Sequence, residues 1–165
     1  MNKLKTLRAA VEAAIPDLRR NPDRLVIFAE RGAIASTSRT SLSFEYRYQV
    51  ELLFTNFSGH VDLAVVAVMA WVRDNEPLIF DRWRQTKEGI EFDAELLSET
   101  EVDLSIRLPL TERVKVTPRE DGGLDILHLG EPPHPDPMGP APGTLQTAFA
   151  HLDGHASEDI THDPT

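Results

Sequence analysis

Residues 45–54 read EYRYQVELLF, and their alternation decides the fold class. Tyr46, Tyr48, Val50, Leu52 and Phe54 take one phase, with Glu45, Arg47, Gln49 and Glu51 in the other. A period of two over about ten residues marks a strand with one face on a core and the other wet or partnered. The pattern returns downstream. Ile90, Phe92, Ala94 and Leu96 alternate with Glu91, Asp93 and Glu95, and Val102, Leu104, Ile106, Leu108 and Leu110 alternate with Asp103, Ser105 and Arg107. Ser98-Glu99-Thr100 between these runs reads as a hairpin connection. Val114 and Val116 prolong the last run past Pro109, which places that proline at an edge or a kink. Asp121-Gly122-Gly123 then turns the chain into Leu124–Leu129.

Upstream, Leu4, Leu7, Val11, Ile15 and Leu18 recur at three- and four-residue steps, the spacing of an amphipathic helix. Pro16 weakens its last turn, and Asn21-Pro22-Asp23 ends it. Leu25–Ala29 is a short continuous apolar run, expected as a strand buried on both faces and interrupted near Gly32. Ala33–Ser43 is rich in Ser and Thr and fits either an extended arm or a loop. Leu63–Val72 is apolar all round and predicts a central helix buried on most sides, with Asp62 in its first turn and Asn75-Glu76-Pro77 as its stop. The expected fold is α+β: a mixed, mainly antiparallel sheet with two main helices packed on it. Three segments follow from composition. Residues 1–130 form a globular domain. Residues 131–143 hold six of the twelve prolines and form a spacer, and residues 144–165 are an acidic, His-containing tail, flexible or partner-bound.

The chain has 165 residues and a formal net charge of −10, from 17 basic and 27 acidic side chains. That balance argues against a general phosphate-backbone binder, which needs a basic patch. Cysteine is absent, so disulfides, thiolate metal sites and cysteine nucleophiles are excluded, and a reducing compartment is expected. Met1–Lys5 runs straight into the charged amphipathic pattern without a signal-peptide core, and Leu63–Val72 is about half of the roughly 20 residues a membrane span needs. A soluble chain with no membrane partner is expected.

Chemistry is hard to assemble from these residues. His151, His155 and His162 lie near Asp153, Glu158 and Asp159, but no scaffold holds them in ligand geometry. A metal-dependent hydrolase acting through this tail is therefore a remote alternative. Glu91, Asp93, Glu95 and Asp103 read better as a solvated or partner-facing sheet surface than as acid–base pairs. Ser36, Ser38, Ser41 and Ser43 lack a nucleophile-elbow frame, and no glycine-rich phosphate loop is present. Neither catalytic, cofactor-binding nor metal-ligating residues are assigned. Trp71 and Trp83 fit interface anchors, with core packing the better reading of Trp71.

NPDRLVIFAERGAIAST (21–37), SLSFEYRYQVELLFTNFSGHVDLAVVAVMAWVRDNEP (41–77), DLSIRLPLTERVKV (103–116) and LGEPPHPDP (129–137) resemble the tail completion protein R family of peduovirus-type, contractile-tailed phages and prophages. The similarity runs from about Leu4 to Pro137, with GAIAST, SLSFEYRY, AWVRDNEP and LTER its most specific parts. The resemblance implies a structural, non-enzymatic virion protein that completes the head-proximal end of the tail and makes it competent for head–tail joining. A transient assembly chaperone absent from the virion is the alternative. Implied partners are further copies in a ring, by analogy a hexamer of tail-terminator-like subunits, with tube, sheath and neck or head-completion proteins. DNA would pass through without specific binding, and the expected location is the virion tail, with the host cytoplasm during assembly. A ring needs two unlike contact surfaces. Ile34, Ser36 and Arg39 on the 33–43 arm, with Trp71, Arg73 and Trp83, are the candidate interface residues, and Glu91, Asp93, Glu95 and Asp103 are the candidate lumen face.

Overall fold

The computed structural model describes residues 1–36, 38–80 and 89–131, all within a compact unit spanning Met1–Pro135. The expected spacer and tail lie, apart from Glu131, outside the described residues. The chain runs α1 (Lys3–Ala14), α2 (Pro16–Arg20), a 3-10 turn (Pro22–Arg24), β1 (Leu25–Ser36), β2 (Phe44–Phe57), α3 (Val61–Asn75), β3 (Glu91–Leu96), β4 (Val102–Pro118) and β5 (Leu124–Leu129). The strands form one sheet in the order β1-β2-β4-β3, with β5 also paired to β4, and every described pairing is antiparallel. The fold is α+β, as the alternation and helical spacing required.

The alternation in β2 and β4 builds the core. Tyr48, Val50, Leu52 and Phe54 of β2 lie opposite Leu110, Leu108, Ile106 and Leu104 of β4, all buried. On this face sit Leu7 and Val11 of α1, Leu18 of α2, and Ala64, Val68, Trp71 and Val72 of α3, in one contiguous cluster. Both helices that supply most of this layer therefore cover the same side of the sheet, and among the described residues the other side is left bare.

Four departures from the sequence reading have local causes. Ile15 is extended, and Pro16 opens α2 at its first position, where a missing N–H costs nothing. β1 is not buried on both faces. As an outermost strand it turns Leu25 inward and leaves Val26 half exposed on the bare side. It also continues beyond Gly32 through a bulge between Glu30 and Ala33, where Arg31 has φ 48°, so Ala33–Ser36 is strand paired with Phe44–Arg47. α3 is apolar all round but packed on one side only. Val66 and Met69 remain exposed, because no second layer of described residues closes over the helix.

Pro109 shows how one strand is central and marginal at once. Thr111 N–H points away from β2, toward Glu76, and N–H groups alternate along a strand. Position 109 would point the same way. That stretch of β4 lies between its partners, since β3 pairs with 102–107 and β5 with 113–118. Proline thus removes a donor where no strand could accept it.

Because Leu108 is fully buried at the centre of this cluster, Leu108→Ala is expected to cost about 2–5 kcal/mol. Met69→Ala, at an exposed position, should cost far less. Urea unfolding of the two variants measures the difference.

Candidate functional site

The polar cluster begins with a charge in the wrong phase. Along β4, Leu108, Leu110 and Val114 face the core, and Glu112 occupies the same phase between the last two. Its carboxylate is buried against four groups from distant parts of the chain. Asn2 N–H donates to Oε2 at 2.8 Å and Lys3 N–H to Oε1 at 3.2 Å. Tyr48 hydroxyl donates to Oε1, and His128 Nδ1 of β5 lies 3.1 Å from Oε2. Helix α1 has no acidic residue in its first turn and no side-chain cap of its own. Glu112 supplies both, satisfying orphan N–H groups and placing negative charge at the positive end of the helix.

A second carboxylate sits beside it. Glu76, the residue after α3, is 1% exposed. Lys3 Nζ lies 2.8 Å from its Oε2 and 3.0 Å from Glu131 Oε1. Thr111 donates its N–H to Oε2 at 3.1 Å and its hydroxyl to Oε1 at 3.1 Å. Glu76 thus fills the notch in the sheet between β3 and β5. Among the described residues no buried side-chain nitrogen or oxygen lacks a hydrogen-bond partner.

Burial alone would raise the Glu112 pKa. The Tyr48 hydrogen bond, the Asn2 and Lys3 N–H groups and the N-terminal charge together hold it below the usual carboxylate range. Tyr48 is pushed up, mainly by burial and then by its bond to Glu112 and the charges of Glu112 and Glu76. The phenol remains a donor and the carboxylate an acceptor. This arrangement fastens the start of the chain to β2, β4 and β5. Among the described residues no group of histidine and acidic side chains could hold a metal ion.

The four acids expected on one face do share it. Glu95 lies opposite Asp103, Asp93 opposite Ser105 and Glu91 opposite Arg107, all on the side away from the helices. Arg107 pairs with Asp93 and approaches Glu51 at 3.7 Å and Glu91 at 3.9 Å, while Asp103 accepts the Asn56 N–H at 2.8 Å. The acidic face is thus partly offset. Arg31, Arg47 and Arg113 line a broad depression of about 810 Å³ whose walls include bare-face residues further along β1, β2 and β4.

The candidate interface residues separate. Ile34 is 69% exposed near the end of β1, and Ser36 closes that strand with its hydroxyl donating to Ser38 O at 3.2 Å. Arg39 is exposed in the following connection. Arg73 projects from the last turn of α3 and pairs with Asp74 at 3.3 Å. Trp71 is 6% exposed and belongs to the core, with its indole N–H donating to Thr6 at 3.3 Å. Trp83 lies outside the described residues. A cavity of about 290 Å³, lined by apolar side chains including Val65, Met69, Phe80 and Phe92, opens between α3 and β3. Sequence reading missed both the carboxylate clamp and this cavity. The signal for the clamp was present in the LTER segment, as a glutamate in core phase.

Exposed apolar edges beside a fastened polar core mark a domain that meets partners. The comparisons give the class a name. The family model described as P2 phage tail completion protein R (GpR) matches residues 1–132. Tail completion protein R of Escherichia phage P2 is 43% identical over 138 residues, covering 84% of this chain and 88% of that protein. No solved structure matches the chain. The chain belongs to the P2 phage tail completion protein R family.

Two expectations concern the clamp. Stability should fall as pH drops below the ordinary glutamate value of about 4.3, because the unfolded chain takes up a proton that folded Glu112 resists. Glu112→Gln should flatten that acid limb in urea titrations between pH 3 and 7. Lys3→Met, which removes one partner from each of Glu76 and Glu131, should cost about 1–3 kcal/mol at neutral pH by the same measurement.

Proposed function

We propose that the protein is a structural, non-enzymatic component of the virion that completes the head-proximal end of a contractile phage tail and makes it competent to join the filled head. The observation that carries this reading is family membership across residues 1–132, a span that includes every described element. The relative's name speaks of tail completion. Capping, joining and the head-proximal position are this proposal's own extension of it.

In this reading several copies close into a ring, with six the expected number, between the tube and sheath below and neck proteins above. Two unlike uncovered surfaces support ring closure, because cyclic contacts are heterologous. One is the apolar cavity between α3 and β3. The other is the end of the sheet, where Ile34, Leu124 and Ile126 stand exposed beyond the helices. The face carrying Glu91, Asp93, Glu95 and Asp103 lines the lumen, where a mostly acidic wall lets DNA pass without holding it. No described helix is long and apolar enough to cross a membrane.

Deleting the gene from the phage should leave filled heads and separate tails, and supplying the protein in trans should restore joined particles in electron micrographs. Complete infectious particles without the protein would refute the proposal. Mass spectrometry of purified virions should find it there; its absence would favour a transient assembly factor. Asp103→Lys with Glu95→Lys in the lumen should slow DNA release without preventing assembly, and unchanged release would reject the lumen assignment.

A further inference from the structure

We infer that β3 of one copy pairs edge to edge with the Ala33–Ser36 end of β1 of the next copy, so that one antiparallel sheet runs on through the assembly. β1 and β3 are the outermost strands at opposite sides of the sheet order. An exposed strand edge is a template for pairing, and proteins block such edges unless they use them. β3 carries no proline, and no irregularity interrupts its pairing with β4. All six of its residues are exposed. On the helix side Phe92 is 65% and Leu96 76% exposed, which is unusual for large apolar side chains in a folded monomer.

The charge pattern chooses the occupant. Glu91, Asp93 and Glu95 share one side of β3, so two β3 strands paired with each other would bring like charges together. The opposite edge offers the complement. The first half of β1 leads into the bulge at Glu30–Ala33, and the strand beyond it is regular and exposed. Ala33 and Ala35 face the bare side there, opposite Arg47 and Glu45, and Arg31 and Arg47 line the same depression. Small alanines leave room for the β3 acids to reach those two guanidiniums, with Arg47, paired with Glu45 at 2.6 Å inside one copy, exchanging that contact. On the helix side Ile34 would meet Phe92 or Ala94 and lie against the cavity that Met69 and Phe80 line.

Direction agrees as well. Three successive antiparallel pairings, β1–β2, β2–β4 and β4–β3, leave β1 and β3 antiparallel within one chain. In a ring every copy points the same way along the axis, so β3 meets the neighbour's β1 antiparallel. Matching bare side to bare side restricts the register to steps of two, and setting both Ala33 and Ala35 opposite β3 acids leaves Ile34 opposite Phe92 or opposite Ala94.

The inference takes its biological setting from the proposed ring, while its test reads the purified chain alone. The sequence has no cysteine, so introduced thiols report without background. Ile34→Cys, Phe92→Cys and Ala94→Cys, all at exposed positions, are made singly and as the pairs I34C/F92C and I34C/A94C in the full chain. After mild oxidation at high protein concentration, one of the pairs should give a ladder of covalent multimers extending past the dimer in denaturing gels, while the single variants stop at or below the dimer. Circular dichroism should show unchanged folding. Ile34→Asp in the otherwise unchanged chain should lower the mass found by light scattering while leaving the circular dichroism spectrum unaltered. Absence of any ladder from both folded pairs overturns the inference, and so does dimerisation of F92C alone as strong as that of the pairs. Failure of head–tail joining in the gene deletion is scored separately, so either reading can fall without the other.

Discussion

One carboxylate in core phase organises the molecule. Glu112 stands among Leu108, Leu110 and Val114 on the buried side of β4, where an unpaired charge would cost several kcal/mol. Its bonds to Asn2, Lys3 and Tyr48, and its contact with His128, bring together the chain's first residues, the second strand and the last one. The start of α1 is thus capped by a residue more than a hundred positions away, a contact that exists only in the complete fold. Lys3 then carries the connection to Glu76 and Glu131. Apolar burial drives the helices onto the sheet, and these polar contacts set where along it they lie.

That placement accounts for what remains uncovered. With α1 held at Glu112 and α3 ending at Glu76, the helical layer stops short of the end of the sheet. The sheet goes on for several residues of β1, β2, β4 and β5, and among the described residues no helix covers its apolar side chains there. At the other edge, α3 leaves β3 beyond its reach. Exposed apolar surface on a small acidic protein is a sign of partners. In a family named for tail completion, it is the surface to which the proposed contacts with neighbouring copies are assigned.

Much of the fold was legible because two-residue alternation survives in β2, β3 and β4 and helical spacing in α1. Burial was less legible. An apolar run such as Leu25–Ala29 is compatible with a central or an outer strand, and only pairing shows that β1 is outermost. α3 was expected to be buried on most sides because hydropathy does not count how many layers will form. The acidic face was visible because its four residues share a phase across one hairpin. The clamp was not, since Lys3, Glu76 and Glu131 are scattered polar residues whose meeting depends on tertiary geometry. Family membership came from resemblance, which no periodicity contains.

Pro109 and Glu76 together act as a ruler. Between them they close the outer edge of β4 at residues 109 and 111, the first by lacking a donor and the second by occupying one. The edge is left as two short berths, and β3 and β5 are each six residues long. A longer strand laid along β4 would lose its hydrogen bonds midway. Fibrillar growth needs long uninterrupted edges, and this one is cut to a length that favours a specific short partner over indefinite stacking.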